Sequence, residues 1–127
     1  MSRVKRTESG GYLLPLANAE IDWLRFDGGG VELSFNSDFA KLSIGSSAFA
    51  LLRSKWPGLD QWLSLAGRRV LRAEASESGD LDLDLDDGRR LRIEHDPDYE
   101  AWQFADNAGT TLVSRPAGVG VAWWDDD

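Results

Sequence analysis

The chain has 127 residues, 22 acidic and 14 basic, for a formal charge of −8, with no Cys, one His and six Trp. That length suits a single domain with a real core, and at 42% hydrophobic and 28% charged the composition is that of an ordinary globular chain. The missing Cys excludes disulfides and thiolate chemistry, the single His excludes a multi-His metal site, and the acidic balance argues against nucleic acid, whose nonspecific binding rests on Lys and Arg neutralising phosphates.

Met1 to Gly10 reads as a flexible polar lead-in, with one β-rich domain over 11–127. Arg3, Lys5 and Arg6 precede an apolar stretch of about five residues from Tyr12 to Leu16, shorter than the ~7–15 of a secretion signal. No apolar run approaches the ~20 residues that span a bilayer. The expectation is a cytoplasmic protein without a membrane partner.

From Leu14 the chain repeats itself. Leu14 to Ile44 and Leu63 to Ile93 share a pattern at an offset of 49: Leu14, Leu16, Ala17 and Ile21 match Leu63, Leu65, Ala66 and Val70, and Leu42 and Ile44 match Leu91 and Ile93. Each unit reads as three short strands joined by turns. In the first, a four-residue loop Asn36 to Phe39 pairs Val31 with Ile44, Leu33 with Leu42 and Phe35 with Ala40, leaving Glu32 and Ser34 outside. In the second, Leu81, Leu83 and Leu85 alternate with Asp80, Asp82, Asp84 and Asp86, the period of a half-buried strand. A three-residue loop of Asp86, Asp87 and Gly88 then puts Leu83 beside Leu91 and Leu81 beside Ile93, with Asp84 facing Arg90 and Asp82 facing Arg92 outside.

Between the units, Leu59, Trp62, Leu63 and Ala66 fall at helical spacing, and Gly67 can end the segment, so one short helix is expected near 58–66. Beyond Ile93, Glu100 to Phe104, Thr111 to Arg115 and Val119 to Trp123 are further strand candidates. The expected fold is mainly β: an antiparallel meander repeated twice plus C-terminal strands, forming a barrel or sandwich of about eight or nine strands.

The charge is local. Residues 1–79 carry 9 acids and 10 bases, net +1, and residues 80–127 carry 13 acids and 4 bases, net −9. The alternating aspartates do not make a calcium loop, because counting from Asp82 the sixth position is Asp87 and the twelfth is Ile93, where Gly and Glu are required. His95 lies between Glu94 and Asp96, and no nucleophile-elbow pattern surrounds any Ser, Ser114 included. No catalytic residue, metal centre or cofactor is expected. Among the tryptophans, Trp23 and Trp62 fit a core, Trp102 and Trp123 are further core candidates, and Trp124, pointing opposite to Trp123, is the aromatic expected outside.

Asp96, Pro97, Asp98, Tyr99, Glu100, Ala101 and Trp102, followed by Arg115, Pro116, Ala117, Gly118 and by Val121, Ala122, Trp123, resemble a family of short bacterial proteins, a domain of unknown function. Its pattern is Pro-Asp-x-Tyr-Glu-Ala-Trp with a closing Pro-Gly-Gly turn before Ala-Val-Trp, and the resemblance spans roughly residues 12–124. Ala117 stands where Gly is commoner, and Val121-Ala122 reverses the usual order. The resemblance implies no activity and no catalytic residue. Small acidic bacterial proteins of this class are similar to immunity proteins, which neutralise a toxin by binding it.

The leading expectation is therefore a noncatalytic protein-binding module, of immunity type, that meets a basic partner such as a toxin through an acidic face. Asp80, Asp82, Asp84, Asp86, Asp96, Asp98, Tyr99, Glu100 and Trp124 are its candidate contact residues. Two alternatives stand beside it: a small ligand-binding barrel or hydrolase with a Trp-lined cavity and His95 at its mouth, and an oligomer-forming structural subunit.

Overall fold

A computed structural model describes residues 4–125. In chain order its elements are β1 (Lys5–Arg6), β2 (Tyr12–Leu13), β3 (Ile21–Asp27), β4 (Gly30–Phe35), β5 (Ala40–Ile44), α1 (Ser46–Arg53), α2 (Leu59–Leu63), β6 (Val70–Ala75), β7 (Leu81–Leu85), β8 (Arg90–Ile93), β9 (Trp102–Asp106), β10 (Thr110–Arg115) and β11 (Gly120–Asp125), with a 3₁₀ turn at Pro116–Gly118. The strands form two antiparallel sheets, ordered β1-β2-β6-β7-β8 and β11-β10-β9-β5-β4-β3. The architecture is an open sandwich rather than a closed barrel.

Alternation builds the core. In β7 the three leucines are buried while Asp82 and Asp84 between them are not, and β5 buries Ala40, Leu42 and Ile44 between exposed Lys41 and Ser43. Each leucine taken fully inside contributes about 1.5–3 kcal/mol relative to its exposed state. Both hairpin registers are those the apolar faces dictate. Leu81 pairs with Ile93, Leu83 with Leu91 and Asp84 with Arg90; Val31 pairs with Ile44, Leu33 with Leu42 and Phe35 with Ala40. Gly88 takes the left-handed position its turn requires, at φ 89°.

The repeat becomes a pseudo-two-fold arrangement, with one meander, β3-β4-β5, in the six-stranded sheet and the other, β6-β7-β8, in the five-stranded sheet. At their junction Ile21 N donates to Arg68 O (2.8 Å) and Val70 N to Ala19 O (2.8 Å), while Gly67 N donates to Ile21 O and Asn18 N to Val70 O, both at 2.7 Å. Each bond is the other's image under the 49-residue offset. A lone bridge between Glu20 and Arg69, themselves offset by 49, sits at the centre. Even the irregularities match: the register shifts between Ile21 and Trp23 in one meander and between Val70 and Arg72 in the other.

Several details depart from the sequence-based expectation. There are eleven strands among the described residues, and Lys5–Arg6 pairs with Tyr12–Leu13, so a ladder begins inside the expected lead-in. A helix, α1, occupies Ser46–Arg53, where none was expected; it buries Ala48, Phe49 and Leu52 and touches a strand of each sheet, β4 and β8. The expected helix spans only Leu59–Leu63 and buries only Trp62, leaving Leu59 and Leu63 more than half exposed. Its single inserted indole meets Phe49 edge to face, with ring centres 4.9 Å apart, and donates to Trp56 O at 2.9 Å. Ser34, expected outside, is fully buried, because the Asn36 to Phe39 loop folds over it and Asp38 accepts its hydroxyl. Trp102 is in the core, whereas Trp123 is 36% exposed, because β11 ends its sheet.

Candidate partner-binding surface

The acidic strand β7 is matched by cations. Hairpin register sets Arg92 opposite Asp82 and Arg90 opposite Asp84, giving ion pairs of 2.9 and 2.6 Å. Arg92 reaches Asp80 as well, at 3.2 Å, Arg89 holds Asp87 at 2.7 Å, and Arg68 lies 3.9 Å from Asp86. Asp80, Asp82, Asp84 and Asp86 therefore do not form the uncompensated acidic face expected from the charge count. Such exposed pairs contribute little stability each, but each sets a positive charge beside a negative one.

Asp80 is the most heavily bonded of these acids. Its Oδ1 accepts the His95 backbone N–H at 2.7 Å and lies 2.8 Å from His95 Nδ1, while Oδ2 accepts from Arg92 and from Ser78 Oγ at 3.3 Å. Burial pushes the Asp80 carboxyl up, but hydrogen bonds from His95 and the charges of His95 and Arg92 outweigh it and hold the group below the usual carboxylate range. The other ring nitrogen of His95 is packed against the 116–118 turn, where a Cβ on Gly118 would lie 3.1 Å from Nε2. Ser114 is buried and its hydroxyl donates to Gly79 O at 2.9 Å, so its hydrogen is committed elsewhere. The arrangement is a clamp joining the start of β7 to the β8–β9 loop. Beside it runs an open polar cleft of about 680 Å³, lined by Ser9, Glu74, Ser76, Glu77, Ser78, Asp82, Gly118 and Val119.

The β8–β9 loop behaves differently. Asp96 turns inward on its own backbone, with Oδ1 accepting the N–H of Asp98 (2.8 Å) and of Tyr99 (3.0 Å), while Asp96 O accepts from Ala117 N at 2.8 Å. This fixes the loop so that Asp98, Tyr99 and Glu100 all face solvent, Tyr99 at 64% exposure. Gly45 N, at the start of α1, donates to Ala101 O, and the next residue, Trp102, is buried with its indole N–H on Gly79 O at 2.9 Å. The Pro-Asp-x-Tyr-Glu-Ala-Trp run thus divides into an anchor (Asp96, Ala101, Trp102) and a presented triplet (Asp98, Tyr99, Glu100). No ion pair engages Asp98 or Glu100 among the described residues. A shallow depression of about 340 Å³ lies between this loop and Gly45 to Ala48.

Trp124 is 48% exposed, as expected, on the outer face of β11; Trp123, on the inner face, lies tilted against Tyr12 of the other sheet, with ring centres 6.4 Å apart. Trp124 lies on a different strand from the presented triplet, so the nine expected contact residues do not constitute one patch. Sequence reasoning missed Trp123 as an exposed aromatic; the cue was its strand's place in the sheet order, which a single chain does not display. The hydrophobic interior holds Trp62 and Trp102 as filling side chains rather than as the lining of a barrel cavity. No cluster of His, Asp and Glu among the described residues has the makings of a metal site, and none of their helices is long and apolar enough to cross a membrane.

The chain belongs to a family of unknown function, DUF6188, whose pattern matches residues 12–125. No curated protein and no solved structure matches it.

Proposed function

We propose that this family member is a noncatalytic protein-binding module, of the immunity-inhibitor kind, acting in the cytoplasm and meeting a basic partner through the β8–β9 loop. The observation that carries the reading is the contrast between the two acidic segments. On β7 every aspartate faces an arginine, whereas Asp98 and Glu100 flank an exposed Tyr99, with no ion pair among the described residues and a backbone pre-set by Asp96. An aromatic side chain on a fixed backbone between carboxylates suits a contact centre: the ring supplies area to bury, and the charges steer an oppositely charged surface.

The test is a pull-down from the native bacterium with the wild-type chain and with the triple variant Asp98→Asn, Tyr99→Ala, Glu100→Gln. The wild type should retrieve a basic protein, and the triple variant should lose it. Asp82→Asn with Asp84→Asn should retain it, since those acids already have partners. The captured complex should form more slowly as salt is raised. Capture unchanged by the triple substitution, or association indifferent to salt, overturns the reading.

A further inference from the structure

A sheet ends in strands whose outer N–H and C=O groups have no neighbour, and folded proteins ordinarily protect such edges with charge, brevity or a bulge. Four strands end the two sheets here. β1 is two residues long and both are basic; β8 is four residues long and carries Arg90 and Arg92; β3 carries Asp22, Arg25 and Asp27 and a register shift. β11 has none of these. It runs six residues in unbroken register with β10, has no Lys, Arg or Pro, and meets its first charge only at Asp125. Trp123, Trp124 and the preceding Val119 stand exposed along it.

We propose that β11 pairs antiparallel with β11 of a second copy of this chain, joining two six-stranded sheets edge to edge. A two-fold axis perpendicular to the sheet requires facing residues to lie on the same face, so their numbers must differ by an even count. The register centred on Ala122 satisfies this and fits side chain to side chain. Ala122 meets Ala122 of the second copy, Trp123 lies beside its Val121, and Trp124 falls opposite its Gly120. Arg115 pairs with Gly120 at one end of the strand, is exposed and has no ion pair among the described residues. Antiparallel pairing sets Trp124 in the same cross-strand row as the second copy's Arg115 guanidinium. Asp125 falls opposite Val119, so no like charges face each other. The contact uses none of the loop residues assigned to the partner above.

Sedimentation equilibrium of the full chain tests it, with Ala122→Lys and Ala122→Glu as variants, since position 122 faces itself across the axis. The wild type should be a dimer, each variant alone a monomer, and their equimolar mixture a dimer again. Hydrogen exchange on the wild type gives a second measure that needs no substitution: the outward amides of β11 should gain protection as concentration rises. A monomeric wild type, a dimer that both charged variants retain, a mixture that stays monomeric, or β11 amides whose exchange ignores concentration overturns the proposal.

Discussion

Ala117 has φ of 61°, in the left-handed region that costs an L-residue about 1–2 kcal/mol. The turn it occupies is fixed from both sides, because its N–H donates to Asp96 O and the next residue, Gly118, lies against the His95 ring. The family pattern's preference for Gly at this place thus has a backbone reason. Ala117→Gly should raise the urea midpoint, for a gain of about 0.5 kcal/mol after the extra freedom of Gly in the unfolded chain is subtracted. Gly118→Ala should do the opposite. Its φ is 70°, and the added Cβ would sit 3.1 Å from His95 Nε2, so a loss of about 1–3 kcal/mol is expected. Equal midpoints for the two variants in a urea titration would show that the turn is not strained.

At the scale of elements, the hairpins were legible because burial leaves no freedom: slipping either register by one residue would carry every leucine to the solvent face. The same register already set Arg92 against Asp82 and Arg90 against Asp84. The neutralisation of β7 was therefore legible across the strands, although the charge count along the chain pointed to an acidic face. α1 gave no such signal. It is eight residues long, begins at Gly45 without a side-chain cap and has no acid in its first turn. A capping side chain there would be crowded, since a Cβ on Gly45 lies 3.1 Å from Glu100 O. The clamp between β7 and the β8–β9 loop was equally hidden, because Asp80 and His95 meet only once the hairpin is closed. Since Asp80 titrates lower in the folded chain than its ordinary value of 3.8, the folded state binds that proton less readily than the unfolded one. Its stabilisation is complete above the ordinary value and is lost as pH falls through the lower one. Asp80→Asn should therefore lower the urea midpoint at neutral pH, with the deficit shrinking once pH drops below about 4. A deficit that stays constant through the acid range would remove Asp80 from the pH dependence.

The whole molecule is two meanders that need each other. The repeat was visible in sequence as matched leucines and isoleucines, but their assignment to opposite sheets was not, because periodicity gives a strand its inner face and says nothing of what covers it. The paired bonds at Ile21, Gly67, Arg68 and Val70 tie the two units along one seam, and the leucines of β7 and β8 share one hydrophobic core cluster with residues of β4, β5 and β9. Neither unit alone would hide its apolar face, and a large exposed apolar face disfavours a separate folded unit in water. Unfolding should accordingly be a single transition. Tryptophan fluorescence reports on the buried Trp62 between the units and Trp102 in the six-stranded sheet, and far-UV circular dichroism reports on both sheets together. The two signals should give superimposable urea curves with one midpoint. A fluorescence change that precedes the loss of sheet signal would mean that one meander survives the departure of the other, and the seam would then be a contact between independent units instead of the condition for either to fold.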